Sequence, residues 1–138
     1  MAERSLQETI LVYLLRIGGS VTLLALLAVV MPVDWMAGTH RRLGLGEFPS
    51  STIVDYLTRS VSMLYAIHGG LLLVVSTNVR RYAGMVTYLA AVNVIFGAAL
   101  IGIDLHAGMP TFWTLSEGPP LFVIGILMFY LLRAVPRE

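Results

Sequence analysis

The chain has no cysteine, and charged residues make up only 12% of its 138 positions. Without thiols, disulfides, thiol redox chemistry, Fe–S ligation and CxxC-type metal sites are excluded within it. Charge is scarce too: a soluble domain of this size usually carries about a quarter charged residues. Lysine is absent, so all nine basic residues are arginine, a usage that fits a GC-rich genome. The net charge of +1 gives no global steering toward nucleic acid. There is no catalytic signature such as HExxH, no internal repeat and no low-complexity tract.

What is present is apolar. The chain is 57% hydrophobic, with a mean hydropathy of +0.83. Four apolar stretches run from about Thr9 to Met31, Tyr56 to Thr77, Tyr82 to Leu105 and Pro119 to Val135. About 20 apolar residues cross ~30 Å of hydrocarbon as a helix, and helices satisfy their own backbone there. The expectation is an all-α, integral membrane four-helix transmembrane bundle, with residues 1–138 as a single transmembrane domain. The first stretch is longer than the 7–15-residue core of a usual signal peptide, no A-x-A site follows, and it reads as a retained span. Pro119-Pro120 suits the first turn of the fourth helix, where the missing N–H groups have no intrahelical partner.

Four spans put both termini on one side. That side would hold Arg4, Arg16, Arg80, Arg81, Arg133 and Arg137, against Arg41, Arg42 and Arg59 opposite. The positive-inside rule then places both termini in the cytoplasm of a bacterial inner membrane. The long connection after Pro32 is expected to hold a short interfacial helix at about Val33–Leu43, with Trp35 and Met36 facing lipid. Thr52-Ile-Val-Asp55 reads as a capping-box variant opening the second span. Trp113, in the last loop, reads as an aromatic-belt residue.

Small residues suggest how the helices approach. Ser62, Ala66 and Gly70 are four residues apart in the second span, with Gly69 beside them, and Gly97 lies in the third; such residues let helices pack closely. Gly18-Gly19 and Gly125 offer further close contacts. Asn93, Gly97, Leu100 and Asp104 share one stripe.

Two groups of polar residues stand out. His68 and Asn93 fall near mid-span at depths about three residues apart, roughly 4.5 Å. With Tyr65 beside them they make either a polar clasp between helices or a ligand site: a proton relay, a quinone-carbonyl donor or an axial haem ligand. The second group is Asp34, Asp55, Arg59, Asp104, His106 and Glu117, expected together at the outer ends of the spans. It reads as an ion-pair network around Arg59, or as an outward site for a cation or small polar ligand. No metal ligand set and no catalytic residue is assigned.

The stretch Leu57-Thr-Arg-Ser, His68-Gly-Gly-Leu-Leu-Leu and Arg80-Arg81 resembles the DoxX-like families of small four-helix bacterial membrane proteins. These often pair a Gly-Gly-Leu-Leu span with a short Arg-bearing turn and an Ala/Gly-rich third span. The Gly44-Leu-Gly-Glu47 loop is similar to one in uncharacterised bacterial proteins. His68 stands where such families often have an acidic residue. The resemblance implies a link to quinol-oxidising complexes for some members, and no residue role is carried over from it.

Three functions follow as expectations. The first is a non-catalytic accessory or assembly subunit, or a self-associating bundle, whose partners are the lipid bilayer and either further copies of itself or a membrane complex. The second is a redox-linked component binding quinone or haem through His68. The third is a small transporter or channel.

Overall fold

A computed structural model describes residues 5–135; Arg4 and Arg137, which the orientation argument counts, lie outside the described residues. The elements are α1 (Leu6–Leu23), α2 (Leu26–Val30), α3 (Val33–Arg42), α4 (Thr52–Val75), α5 (Ala83–Ala107) and α6 (Thr111–Leu132). No strand occurs among the described residues.

Four stretches are long and apolar enough to cross a membrane: Leu6–Val30, Thr52–Val75, Ala83–Ala107 and Thr111–Leu132. In the most apolar part of each, only 22–33% of the residues are buried inside the protein, and many large apolar side chains face outward. Leu24, Leu64 and Ile95 are 61–69% exposed in the midst of such helices. The first stretch is not one regular helix. At Leu24 and Ala25 the amides bond to Val21 and Thr22, a tighter i→i+3 pattern. Just upstream, the Thr22 hydroxyl donates to the Gly18 carbonyl at 2.7 Å.

The fourth stretch corrects the sequence reading. α6 begins at Thr111, and Pro119 and Pro120 lie well inside it. The two prolines remove the amides that would reach the Leu115 and Ser116 carbonyls, yet the helix continues. Packing overrides the local preference: Thr114 and Gly118, ahead of the prolines, are both buried. Trp113 is therefore a helical residue, not a loop residue.

The chain falls into two compact bodies, Leu15–Val74 and Met1–Leu14 with Val75–Glu138. In the second, α5 buries Ala83, Val86, Ala90, Asn93, Gly97, Leu100 and Asp104. Their 3,4 alternation is the period of a left-handed coiled seam. α6 answers with Thr114, Gly118, Gly125, Met128 and Leu132. Backbones touch at the glycines. A Cβ on Gly97 would stand 2.6 Å from the Phe122 amide nitrogen and 2.7 Å from the Gly118 carbonyl oxygen, and one on Gly125 2.7 Å from the Ala90 oxygen. α5 ends at Gly108, whose φ of +69° lets the Met109 amide reach back to the Asp104 carbonyl at 2.9 Å.

In the body Leu15–Val74 the same device joins α1 to α4. A Cβ on Gly69 would lie 2.6 Å from the Leu23 amide nitrogen and 2.7 Å from the Gly19 oxygen. Ala66, one turn before, is 3% exposed. Gly70 differs: a Cβ there would meet nothing within 4 Å, and Ser62 is only half-buried. The close approach therefore runs along Ala66 and Gly69, while Gly70 looks outward.

α3 follows Pro32, whose carbonyl receives the Trp35 and Met36 amides at 3.0 and 3.2 Å. Trp35 is 69% exposed, but Met36 is 7% exposed and points inward, which corrects its expected outward orientation.

Candidate functional site

The polar residues sort by body. Asp34, Asp55 and Arg59 belong to Leu15–Val74; Asp104, His106 and Glu117 belong to the other body.

Arg59 is the best connected of the first three. Its Nε donates to Asp55 Oδ1 at 2.9 Å, one helical turn back. Its Nη1 donates to the Val29 carbonyl at 2.6 Å and its Nη2 to the Met31 carbonyl at 3.1 Å. These carbonyls close α2, where a helix leaves its last C=O groups without internal partners. A guanidinium there satisfies two of them and meets the negative end of the helix dipole. The planar fork of Arg suits this threefold duty; a lysine ammonium would not reproduce it. Sequence reasoning anticipates a carboxylate for Arg59 but has no signal for the carbonyls, because they come from residues 28 and 30 positions away. Upstream, α4 is capped by Ser51, whose hydroxyl accepts the Val54 amide at 3.3 Å. The cap is one residue earlier than Thr52, and Asp55 is occupied by Arg59.

From the last turn of α3, Arg41 grips Glu47 in the following loop with Nε and Nη2 at 3.0 and 2.9 Å. The Arg41 hydrogen bonds and charge hold the Glu47 carboxyl below its usual range. His40 Nδ1 lies 3.0 Å from the Gly46 carbonyl, and its ring meets Phe48 edge-on at 5.6 Å. Asp34 is exposed and lines a cavity of 340 Å³ with Met31, Trp35, Gly38, Thr39 and Arg42.

In the other body, Asp104 is 4% exposed, and its Oδ2 has no hydrogen-bond partner among the described residues. Glu117 accepts the Trp113 indole N–H at 2.7 Å within α6. His106 is exposed. Asn93 sits in the α5–α6 seam and directs Nδ2 to Met128 Sδ at 3.5 Å. His68 and Tyr65 are half-buried on α4, in the body that does not contain Asn93. Among the described residues no group of three or more His, Cys, Asp or Glu side chains is placed to hold a metal ion.

One polar pair has no forerunner in the sequence reading. Glu8 and Arg80 form a buried two-pronged ion pair, with Nη2 to Oε2 at 2.8 Å. Ser5-x-x-Glu8 is the only local signal. It resembles a capping box, and the Ser5 hydroxyl does accept the Glu8 amide at 3.2 Å, but the Glu8 carboxylate serves Arg80.

Among the described residues the arrangement thus combines structural ion pairs and close backbone crossings with an unpartnered Asp104 oxygen and an open cavity beside α3. Comparison with known protein families, characterised proteins and solved structures finds no match to the chain.

Proposed function

We propose that this chain is an integral protein of the bacterial inner membrane, with four spans and both termini in the cytoplasm. In this reading it acts as a non-catalytic accessory subunit or as a self-associating bundle. The observation that carries the reading is the outward apolar surface: in the most apolar part of each long helix no more than 33% of the residues are buried internally, and large apolar side chains such as Leu24, Leu64 and Ile95 face outward. A helix that is apolar all round needs hydrocarbon or another protein against its free faces.

Small residues left open support the association. Cβ atoms on Gly70, Gly84 and Gly102 would meet nothing within 4 Å. Outward glycines are where a neighbouring helix can approach a backbone closely. Internally, Glu8, Asp55, Arg59 and Arg80 are engaged with one another in pairs that set helix register rather than line a reaction site. The DoxX-like resemblance belongs to this proposal as a kinship of small four-helix membrane proteins.

Carbonate-washed membranes, followed by native mass spectrometry of gently extracted protein and an absorption spectrum, test the reading. Membrane-resident protein, recovered as a homo-oligomer or in a stoichiometric complex that Gly70→Leu breaks, is the expected result. Protein released by carbonate overturns it. A haem band or a bound quinone lost in His68→Ala replaces it with the redox function.

A further inference from the structure

The cavity beside α3 is built between charges. Asp34, Gly38 and Arg42 lie at i, i+4 and i+8, on one stripe of the helix. The two charged residues are about 12 Å apart along the axis at 1.5 Å per residue. Between them Gly38 leaves a notch where even a Cβ would touch nothing within 4 Å. Trp35 and Thr39 flank the notch on the adjacent stripe, and Met31 closes it from the end of α2. The other charges of this segment are satisfied internally: Arg41 by Glu47 and Arg59 by Asp55. Asp34 and Arg42 alone of the charges from residue 34 to 59 have no ion pair or hydrogen bond among the described residues.

We infer that this notch holds a zwitterionic aminophosphate headgroup, its ammonium at Asp34 and its phosphate at Arg42. A carboxylate and a hydroxyl, from Asp34 and Thr39, accept N–H bonds, and Trp35 lines the same space, an aromatic side chain suited to a cation. The Arg42 fork matches phosphate oxygens in pairs. The helix dipole explains an acid in the first turn and a base in the last; it does not explain the glycine gap between them. Helical side chains lean toward the N-terminus, so the long Arg42 side chain reaches back toward Asp34 and shortens the separation of about 12 Å toward the spacing of the two charges in one headgroup.

The source is the lipid bilayer, a step that rests on the membrane reading above. Only Met31 and Pro32 separate α2 from α3, so the notch sits at the level where the first span leaves the hydrocarbon. Exposed Trp35 is of the kind that populates that level.

The test is native mass spectrometry of carbonate-washed, detergent-extracted protein titrated with an equimolar mixture of phosphatidylethanolamine, phosphatidylcholine and phosphatidylglycerol. Phosphatidylethanolamine adducts are expected to dominate, since choline has no N–H to donate and glycerol no charge for Asp34. Asp34→Asn, Arg42→Gln and Gly38→Leu should each lower that adduct roughly tenfold, while Arg41→Gln, which breaks the neighbouring pair, leaves it unchanged. All four positions are at least partly exposed, and matching thermal midpoints verify the fold of each variant. Unselective adducts, or variants that bind like the parent chain, overturn the headgroup site while the membrane reading stands. Protein missing from the washed membrane overturns the membrane reading itself. Displacement of the lipid by free phosphoethanolamine keeps the aminophosphate chemistry and overturns the bilayer as its source.

Discussion

Arg80 holds both carboxylate oxygens of Glu8 across 72 residues of chain, with contacts of 2.8 to 3.2 Å. The pair is largely withdrawn from solvent, 18% exposed on the Arg80 side and 5% on the Glu8 side. It fastens the start of α1 to the connection between α4 and α5. Removing one member of a buried pair takes the counter-charge from the other, and such changes cost about 3–5 kcal/mol. Glu8→Ala and Arg80→Met are each expected to lower the thermal unfolding midpoint in detergent, followed by tryptophan fluorescence. The double change should cost clearly less than the sum, because each single change already removes the interaction between the two. Additive losses would mean that the two side chains act independently.

The backbone crossings yield a sharper contrast. At Gly97 an added methyl would press on the Phe122 amide and the Gly118 carbonyl, neither of which is the yielding end of a side chain. Overpacking of this kind costs about 1–3 kcal/mol. At Gly102, on the same helix, the same methyl meets nothing within 4 Å and gains the better helix propensity of alanine. Gly97→Ala should therefore destabilise, and Gly102→Ala should be neutral or slightly stabilising. Thermal midpoints of the two variants check the sign, and a Gly97→Ala protein as stable as its parent would refute the close approach.

Much of this frame is visible in the sequence. Apolar length marks the four long helices, because nothing but burial or lipid tolerates so continuous a run. Pro32 ends the first stretch where the residue before a proline leaves the helical region, and Met31 is extended with ψ of 134°. The errors arise where distant contacts outweigh local ones. Pro119-Pro120 has the local chemistry of a helix start, yet buried Thr114 and Gly118 upstream carry the helix through it. Gly69 and Gly70 are indistinguishable as a dipeptide; only the direction of each Cα separates the one against Gly19 from the one facing out. The candidate polar residues are easy to pick out and hard to pair, since Arg59 takes carbonyls from far along the chain, and the Glu8–Arg80 pair, 72 residues apart, is not signalled at all.

Acidification should loosen the loop after α3. Arg41 lowers the pKa of Glu47, so the pair's stabilisation is complete above the ordinary carboxylate range. It is lost as the pH falls through the lowered value, when Glu47 takes up a proton. Both side chains are well exposed, and the effect stays local, with no shift of the global midpoint. Amide exchange across residues 44–49, corrected for intrinsic rates, should accelerate below that pH. In Glu47→Gln it should be fast throughout and independent of pH. Exchange in the parent chain that ignores pH would show that the pair does not order the loop.

Asp104 presents the opposite situation, a carboxylate 4% exposed whose Oδ2 finds no partner among the described residues. A buried polar atom without a hydrogen bond costs about 1–3 kcal/mol, and more when charged. Asparagine keeps the shape and removes the ionisable group. Asp104→Asn is therefore expected to raise the thermal midpoint by a few degrees, the equivalent of about 1 kcal/mol. Asp104→Leu separates charge from shape, since it removes the orphan oxygen but also alters the fit in the α5–α6 seam; it should fall between the parent and the asparagine variant. Loss of stability in Asp104→Asn would show that the carboxylate meets a donor in the folded protein, and the residue would then rank beside Arg59 as a structural anchor rather than as a strained position.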